Sequence, residues 1–533
     1  MKLKDYEFDV VVVGFGAAGA CAAIAAAEHG ARVLVVDRSL GGGASALSGG
    51  VVYAGGGTRY QHEAGYEDTP DNMYNYLRQE VAGAVDDQTL HRFCDESVQR
   101  LSWLERHGAR FAASLCDYKT SYPTDRHYLY FSGNERAYPY CLQATPAPRG
   151  HRQVAKGMGS GRALWRALCQ SAEQLGVVFS PLTRAEQLLI EASGVAGVRC
   201  RSVTDHGSLL RKYYCVAAPL RSKLINWAPG FARMLPTGEA RLWRRSSDLT
   251  IRASNVILAA GGFAFNGDMV RRHAPAYAGI SPLGTEGDDG GGMMLGTSVG
   301  GATGYLHRVA GWRFLSPPAA MLEGITVGVS GERIANEDLY GATHTDVMVR
   351  DFGGRGFLIL DSAMWKRARA QFLSQTSSLQ RIQLAAVFTI ERRKATTLRG
   401  LAVKLGISAS GLAETVAAYN SALNGGLEDP AHKASSMCRP LTRAPFYGLD
   451  ISIRPSMSYF VPGITLGGLR VDGASGEVLT DNGNRIRGLY AAGRTAVGVC
   501  SNSYISGLSL ADCVFSGKRA GEHAAAFQLS AAP

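Results

Sequence analysis

The sequence predicts an α/β fold that opens with a Rossmann-like nucleotide-binding unit, and three adjoining features predict it. Residues 8–13 form a mostly apolar, β-branched run, typical of a buried parallel strand. A Gly-x-Gly-x-x-Gly sequence follows at once, and an alanine-rich helix over 17–29 leads to Gly30. A second strand over 32–36 ends at Asp37, about 20 residues beyond the glycines. Together these elements predict a dinucleotide site, the alternative being a glycine-rich turn without function.

Each residue of this unit has a physical role. Gly14 permits a tight turn, Gly16 lets a pyrophosphate approach the backbone, and Gly19 lets the helix pack closely on the strand. Asp37 can accept hydrogen bonds from ribose hydroxyls, and its charge disfavours the 2′-phosphate of NADP. NAD and FAD remain. The small-residue loop over 41–50 favours FAD because its backbone can lie against a flat ring, although a flexible linker has the same composition.

Composition narrows the class of protein. The chain has 533 residues, which exceeds one ordinary core and predicts at least two domains. The net charge is +11, but no run of bases suggests a nucleic-acid partner. Ten scattered cysteines without a CxxC argue against a metal site or a disulfide framework. The absence of an apolar run of about 20 residues and of a cleavable leader favours a cytoplasmic location.

Four segments carry a resemblance to a known superfamily. They are the N-terminal fingerprint, the Ser-Gly-Gly of 48–50, residues 256–263 and residues 488–493. Together they resemble the flavoproteins of the fumarate reductase and succinate dehydrogenase superfamily, which includes the 3-ketosteroid dehydrogenases. The resemblance covers nearly the whole chain. It implies a glutathione-reductase-type FAD-binding domain over 1–264 and 447–533, with an α+β catalytic cap domain inserted over 265–446.

The same resemblance assigns a set of FAD-binding residues. The loop at 284–290 is similar to the superfamily's loop that approaches the flavin again. A helix is predicted from near Gly507 through Arg519, and its N-terminus can receive the negative charge of a reduced flavin. The predicted FAD-binding residues are Gly14, Gly16, Ala17, Ala18, Gly19, Asp37, Arg38, Ser45, Ser48, Gly49, Gly50, Ala260, Gly261, Asp288, Gly493, Arg494, Ser509 and Leu510.

Departures from the fumarate reductase pattern concern the substrate. The run at 331–337 resembles that family's GxRxxNE, but Tyr340-Gly341 stands where a proton-donating arginine would follow. Ile464 and Tyr504 replace a histidine and an arginine that grip carboxylates in dicarboxylate reducers. A dianion would lose its water without gaining partners, so fumarate and succinate are disfavoured as substrates.

The Tyr-x-Ser of Tyr504 and Ser506 resembles the Δ4-ketosteroid dehydrogenases, which also carry a cap tyrosine, here Tyr340. The resemblance implies that a donor near Tyr504 hydrogen-bonds the C3 ketone while Ser506, relayed to Tyr340, removes the C4 proton. The C5 hydride passes to FAD. Which hydroxyl is the base stays open, and Tyr504 could simply pack on the flavin.

Residues 111–141 are rich in tyrosine and could wall a flat, apolar substrate. Tyr118, Tyr130 and Ser132 are the predicted substrate contacts, although ordinary packing explains any single tyrosine equally well. Helices predicted over 379–399 and 412–423 are assigned to cap scaffold.

An insertion over 206–245 combines aromatic and aliphatic residues with eight bases and a single acid, Glu239. This composition predicts contact with an anionic membrane surface, hence a peripheral membrane protein. A packed hairpin or an oligomer contact is the alternative, and three prolines exclude one long helix.

The sequence therefore predicts an oxidoreductase acting on CH–CH groups, a 3-ketosteroid Δ4-dehydrogenase that passes electrons to an acceptor of unspecified type. Three alternatives remain. A Δ1-dehydrogenase is one, although Ile505, Ser506 and Leu508 depart from the Tyr-Pro-Gly-Ala-Gly of that class. The others are an ene reductase acting on a neutral enone and a non-catalytic flavin redox module.

Overall fold

The computed structural model describes residues 8–192, 194–203, 208–226, 228–313, 315–454 and 461–531. The N-terminal residues 1–7 and, within the predicted insertion, residues 206, 207 and 227 lie outside these ranges.

Sixteen α-helices and strands come before the insertion in the described ranges. In chain order they are β1 (Val10–Val13), α1 (Ala17–Glu28), β2 (Val33–Asp37), α2 (Gly43–Leu47), β3 (Val51–Tyr53), α3 (Arg59–Glu63), α4 (Pro70–Val81), α5 (Asp87–Asp95), α6 (Ser97–Arg106), β4 (Leu129–Tyr130), α7 (Tyr140–Gln143), β5 (Gly150–Arg152), α8 (Ser160–Gln174), β6 (Val178–Pro181), β7 (Thr183–Glu191) and β8 (Gly194–Ser202).

The insertion and the return to the main sheet comprise α9 (Leu209–Ile225), α10 (Pro229–Met234), α11 (Glu239–Trp243), β9 (Ser247–Arg252) and β10 (Asn255–Leu258). Next come α12 (Gly267–His273), β11 (Ser281–Pro282), α13 (Gly291–Thr297), β12 (Thr303–Gly304), β13 (Val309–Gly311), β14 (Ile325–Val327), α14 (Gly341–Phe352), β15 (Phe357–Leu360), α15 (Ser362–Gln375), α16 (Ser378–Ala386), β16 (Arg393–Ala395), α17 (Leu398–Leu405), α18 (Ala409–Asn424) and β17 (Phe446–Asp450). The last are β18 (Pro462–Thr465), β19 (Gly468–Leu469), β20 (Glu477–Leu479), β21 (Arg485–Ala491) and α19 (Leu508–Ala531).

Strands from both ends of the chain form one six-stranded sheet in the order β20-β21-β10-β1-β2-β6. All of its pairings are parallel except that of β20 with β21. The central strand β1 is the valine run Val10–Val13, fully enclosed because helices cover both faces of such a sheet. The carboxyl ends of β1, β2, β10 and β21 meet at one edge, where α/β sheets bind their ligands.

A second sheet is antiparallel and has its own apolar core. Its order is β14-β15-β17-β16, and it packs against α14, α15, α17 and α18 through side chains such as Ile359, Trp365 and Leu412. The single helix predicted over 379–399 is wrong. α16 ends at Ala386, a π-helical turn spans Val387–Glu391, and Arg393–Ala395 pair with β17 instead. A tertiary pairing here overrides local helix propensity.

The insertion folds as three helices on the first part of the chain. Tyr214, Leu242 and Trp243 form a small apolar cluster with Leu182 and Val203. Pro229 begins α10, in keeping with the expectation that prolines divide the segment, but α9 continues through Pro219. The three elements of the described part of the segment are helical, and α9 packs against α10, so a packed hairpin of helices remains the alternative to membrane contact.

Candidate active site

A cavity of about 870 Å³ opens at the carboxyl edge of the main sheet. It runs from the glycine turn after β1, past the loop before α2, to the region between β13, β18 and the start of α19. Its size suits a dinucleotide cofactor with part of a substrate, since ligand pockets are commonly 300–1,000 Å³.

The glycine turn brings the backbones of β1 and α1 into close contact. Gly14 has φ +102°, a conformation that favours glycine. A Cβ atom on Gly19 would lie 1.9 Å from the carbonyl oxygen of Gly14, so a side chain would push the helix off the strand. Gly16 caps α1 without a side-chain hydrogen bond, which leaves helix N–H groups for a phosphate.

Asp37 ends β2 and is buried at the cavity wall. Its Oδ2 accepts from the N–H of Phe15 (2.8 Å), and its Oδ1 accepts from the N–H (2.7 Å) and the hydroxyl (2.8 Å) of Ser39. A carboxylate has acceptor sites beyond these three bonds. Asp37 therefore shapes the turn and keeps acceptor capacity for a ribose hydroxyl.

An ion pair between Asp288 and Arg494 lines the cavity. Arg494 Nη2 donates to Asp288 Oδ1 (2.7 Å), which also accepts from the N–H of Gly262 (3.1 Å). The Nη1 atom of Arg494 is buried without an acceptor among the described residues. A buried donor of this kind needs a partner, and the carbonyl-bearing edge of a flavin supplies one. The residues therefore fit FAD.

The predicted FAD-binding residues line this cavity, with the exception of Gly19 and Gly493. Gly19 supports the turn from behind, and the N–H of Gly493 donates to Ser516 of α19 (2.9 Å). Ser45 Oγ accepts from the N–H of Ala17 (3.0 Å), which ties the small-residue loop to the start of α1.

Uncharged hydroxyl groups gather at the other end of the cavity. Tyr340, Tyr504 and Ser506 all line it, together with Trp312 and Ile464. The ring of Tyr504 packs edge-on against Trp312, with centroids 4.8 Å apart, and lies 6.4 Å from the ring of Tyr340. The three predicted catalytic residues thus share one wall, although residues 340 and 504 come from distant parts of the chain.

Tyr130 joins this cluster from behind. Its hydroxyl lies 2.7 Å from the hydroxyl of Ser506, and the N–H of Ser506 donates to the carbonyl oxygen of Ser132 (3.1 Å). Tyr130 is buried away from solvent, and Ser506 satisfies the hydrogen bonding of its hydroxyl. The segment over 130–132 therefore positions Ser506 at the cavity.

Burial controls the protonation of these phenols. It raises the pKa of Tyr130, Tyr340 and Tyr504 above the ordinary value because a phenolate would lose its water. For Tyr340, hydrogen bonding to Trp312 and Ser506 offsets only part of that rise. All three phenols are therefore neutral hydrogen-bond donors around neutral pH.

The predicted substrate contacts lie in a second layer. Tyr118, Tyr130 and Ser132 do not line the cavity; Tyr118 and Tyr130 pack together near Val51 and Cys116. Tyr122 lines the cavity instead, donating to the carbonyl oxygen of Gly49 (3.1 Å). Tyr122 belongs to the tyrosine-rich segment, so the signal for it was present, but an irregular loop gave no period from which to choose among its tyrosines.

A hydrogen-bond network that the sequence did not predict joins the segments that carry Tyr340 and Tyr504. Asn134 Oδ1 accepts from the N–H of Tyr340 (2.6 Å), and its Nδ2 donates to Glu80 Oε1 (2.7 Å). The other Glu80 oxygen accepts from Ser503, next to Tyr504 (2.8 Å). Asn134 and Glu80 thus link the N-terminus of α14 to the loop before α19. Only a search for long-range pairs could have found them.

Comparison with known proteins agrees with this geometry. The chain belongs to the FAD binding domain family, whose model matches residues 9–510. FAD is therefore its cofactor, and the fold is that of the FAD-binding flavoproteins of the fumarate reductase superfamily.

Three relatives are informative. A 3-oxo-5-alpha-steroid 4-dehydrogenase of Comamonas testosteroni is 37% identical over 501 residues, covering 91% of this chain and 92% of that enzyme. The crystal structure of a 3-ketosteroid-Δ4-(5α)-dehydrogenase from Rhodococcus jostii RHA1, in complex with 4-androstene-3,17-dione, superposes with a TM-score of 0.82 at 31% identity, covering 98% and 97% of the two chains. A 3-oxosteroid 1-dehydrogenase of Mycobacterium tuberculosis is 26% identical over 559 residues, covering 93% of this chain and 94% of that enzyme.

Proposed function

We propose that this chain is an FAD-dependent 3-ketosteroid dehydrogenase that introduces a C4–C5 double bond beside the C3 ketone. The observation that carries the proposal is the wall of neutral hydroxyls formed by Tyr340, Tyr504 and Ser506. The two Δ4-acting relatives cover almost the whole chain, and the 1-dehydrogenase is more distant in identity. These similarities favour Δ4 over Δ1 chemistry.

The wall suits a ketone better than a dicarboxylate. Ile464 and Tyr504 place an apolar and a neutral phenolic group at the cavity, where a dianion would need cations. The nearby Arg313 lines the cavity too, but it is buried and its guanidinium donates to the backbone carbonyls of Ile451 (3.0 Å) and Ser452 (2.8 Å). It therefore has a structural role.

Tyr504 acts as the hydrogen-bond donor to the C3 oxygen. Burial raises the pKa of its phenol, so the group keeps its proton and can stabilise negative charge on that oxygen. Polarisation of the ketone makes the C4 hydrogens more acidic. FAD, when bound, supplies the acceptor for the hydride from C5.

Ser506 acts as the proton acceptor at C4. As it receives that proton, its own hydroxyl proton passes to the phenol of Tyr340, which is hydrogen-bonded to it. That phenol is already protonated, so it releases the proton that it holds into the cavity that both residues line. The hydrogen bond with Tyr130 orients Ser506 for this exchange.

An anaerobic titration tests the function. The FAD-loaded protein is mixed with 5α-androstane-3,17-dione without oxygen, and the flavin absorbance near 450 nm is followed. We expect bleaching with formation of 4-androstene-3,17-dione. Bleaching by the 4-ene-3-one rather than by the saturated ketone would indicate a Δ1-dehydrogenase. Reoxidation of reduced flavin by the enone alone would indicate an ene reductase, and no response would indicate a redox module.

The division of the chain into domains is part of this proposal. We keep the division into 1–264, 265–446 and 447–533 as a proposal, supported by the separate apolar core of the antiparallel sheet. One boundary needs adjustment. β17 begins at Phe446 and pairs with β15 as far as Asp450, so the cap is better ended after residue 450. Tyr340 would then come from the cap and Tyr504 from the FAD-binding part.

The insertion supports a second proposal, that the protein docks on an anionic membrane surface. Leu209, Tyr213, Val216 and Leu220 follow one another at spacings of four, three and four residues, so they form one stripe along α9. They are 45–83% exposed. Phe231 and Met234 of α10 are 62% and 72% exposed. Lys212, next to Tyr213 on α9, is exposed as well.

The opposite side of the insertion is anchored to the body of the protein. Arg221 of α9 forms a two-point ion pair with Glu286 (2.6 and 2.9 Å), and Asn226 exchanges two hydrogen bonds with Gly284. The stripe is therefore held outward on a fixed support. Apolar side chains flanked by bases match the surface of a bilayer that contains anionic lipid. No helix in the described ranges has an apolar stretch of the length needed to span a membrane.

Vesicle co-sedimentation tests this second proposal. We expect the protein to bind phosphatidylcholine vesicles that contain phosphatidylglycerol and to bind pure phosphatidylcholine more weakly. Replacing Val216 and Leu220 together with serine should weaken binding on the order of 10²-fold, because each buried side chain contributes about 1.5 kcal/mol or more. Leu427→Ser, at an exposed apolar position elsewhere, is the matched control. Equal binding by all three proteins would exclude docking through the stripe.

A further inference from the structure

A second cavity, of about 370 Å³, lies against α19 and is unused by the proposed reaction. Leu510 and Cys513 of this helix line the large cavity, whereas Phe515 and Arg519 line the small one. Arg92 of α5, Arg100 of α6 and Ala474 also line it. The two cavities therefore share one helix.

Three arginines surround one aromatic ring in this second cavity. The guanidinium carbons of Arg92, Arg100 and Arg519 lie 5.3, 5.4 and 5.5 Å from the ring centroid of Phe515. Each contact with the ring is favourable. The three charges repel one another, however, and no aromatic ring neutralises them. Such an arrangement calls for a counter-charge.

The protein supplies little of that charge directly. None of these three arginines takes part in an ion pair with a described residue; Arg92 and Arg519 donate to the carbonyl oxygen of Gly473, and Arg100 donates to that of Phe93 (2.6 Å). Arg100 is only 4% exposed, and its Nη1 has no acceptor within the described ranges. The Nε atom of Arg519 is likewise buried and lacks an acceptor there.

The acids nearby do not complete the site. Glu96 lines the cavity without forming an ion pair among the residues described, and Glu522 is paired with Lys518. Asp512 is buried one helical turn before Phe515 and does not line the cavity. Burial lowers the pKa of Arg100 to about 10 in spite of attraction from Glu96 and Asp512. It lowers the pKa of Arg519 to about 10 in spite of attraction from Asp512, Asp472 and Asp86. Two largely desolvated cations are thus left short of negative charge.

We infer that this cavity is a binding site for a small anion with a phosphate or carboxylate group. Guanidinium groups bind such oxygens through paired N–H donors, and Arg100 and Arg519 each have a buried donor to offer. The cavity volume admits a small organic anion or a phosphate-bearing headgroup. Phe515 provides an apolar floor beside the charges. Because α19 also lines the large cavity, an occupant would stabilise a helix that the active site uses.

Calorimetry on the FAD-loaded protein tests the inference, because bound FAD fills the other anion-binding region. Inorganic pyrophosphate and succinate are titrated separately at an ionic strength held constant with sodium chloride. We expect saturable binding with one site, with a dissociation constant below about 1 mM for one of the two anions. Binding of pyrophosphate alone assigns a phosphate ligand, and binding of succinate alone assigns a carboxylate ligand. No saturable binding of either anion would overturn the inference.

Variants locate the binding. Arg519→Gln should weaken anion binding at least tenfold. Arg92→Gln should weaken anion binding too, and it replaces the first variant if that variant does not fold. Arg106→Gln is the matched control, because Arg106 is an exposed arginine on α6, the helix that carries Arg100. Unchanged affinity in Arg519→Gln and Arg92→Gln would place the anion elsewhere and overturn the assignment. Since the readout is binding, this outcome is independent of steroid turnover.

Discussion

The hydroxyl oxygens of Tyr130 and Ser506 lie 2.7 Å apart, although 376 positions separate them in the chain. Tyr130 ends the short strand β4, and Ser506 precedes the first turn of α19. The hydrogen bond anchors Ser506, a residue of the proposed active site, to a buried phenol. Single and double mutations can therefore test whether Tyr130 acts through Ser506.

Tyr130 acts through Ser506, so their mutations should not be additive. We expect Ser506→Ala to lower the rate of flavin reduction on the order of 10²-fold, and Tyr130→Phe on the order of 10-fold. The double variant should match Ser506→Ala alone, because without the serine the phenol has nothing to orient. Stopped-flow reduction by a saturated 3-ketosteroid measures all four proteins. Fully additive losses would show that Tyr130 contributes by another route.

Tyr504→Phe tests the donor to the ketone. Loss of a single charge-stabilising donor commonly costs 10²–10³-fold in rate, and we expect about that loss with FAD still bound. The measurement is the rate of flavin reduction in the variant after its FAD content has been checked. Tyr138→Phe is the control, since Tyr138 is an exposed tyrosine away from the cavity wall. Full turnover by the Tyr504 variant would remove this residue from the mechanism.

The pH dependence follows from the direction of the phenol pKa shift. An ordinary tyrosine loses its proton near pH 10, but burial raises the pKa of Tyr504, so the donor form persists beyond that point. The rate of flavin reduction should therefore not fall between pH 8 and about 10 through ionisation of this group. A fall in that range that disappears in Tyr504→Phe would mean that the phenol ionises normally.

The GxRxxNE run at 331–337 has a stability role in this chain. Arg333 holds the buried Glu337 through two hydrogen bonds (2.6 and 2.9 Å), and the Lys433 ammonium lies 3.2 Å from it. Glu337→Gln leaves both cations with less negative charge in a buried site. We expect the free energy of unfolding to fall by about 3 kcal/mol, measured by denaturant titration. Glu414→Gln, on the exposed side of α18, should change it little.

Acid should reproduce that loss in the unmodified protein. Although burial opposes ionisation, Arg333 and Lys433 lower the pKa of Glu337 to about 2, so the folded state holds fewer protons than the unfolded state. The contribution is present above the ordinary glutamate pKa of about 4.3 and is lost as the pH falls toward 2. In Glu337→Gln this part of the acid sensitivity should be absent. Identical acid dependence in both proteins would contradict the assignment.

Local patterns predicted the nucleotide end of the fold well. The valine run, the glycines and Asp37 lie within a few tens of residues, and each is required by local backbone geometry, as the close approach of Gly19 to Gly14 illustrates. The superfamily resemblance predicted Tyr340, Tyr504 and Ser506 as neighbours in one catalytic site. The structure places them on one wall.

Long-range pairings were beyond the sequence. Nothing in the sequence near Asn134 indicates that its side chain accepts a hydrogen bond from the backbone of Tyr340. Nothing near Arg393 indicates that this residue forms a strand that pairs with β17. Tyr122 lines the cavity and Tyr118 does not. The sequence could not distinguish them, because an irregular loop has no period that separates inward from outward residues. The composition of the insertion predicted exposed apolar and basic residues. That four of the apolar residues form one stripe became visible only because α9 continues as a helix through Pro219.

The position of the double bond after a single turnover distinguishes Δ4 chemistry from every alternative reaction. The FAD-loaded protein, in excess and without oxygen, is mixed with 5α-androstane-3,17-dione, and the extracted steroid is examined by NMR. We predict one equivalent of flavin reduced and a vinyl proton at C4 with no second double bond. A product unsaturated between C1 and C2, or unchanged steroid beside oxidised flavin, would contradict a Δ4-dehydrogenase.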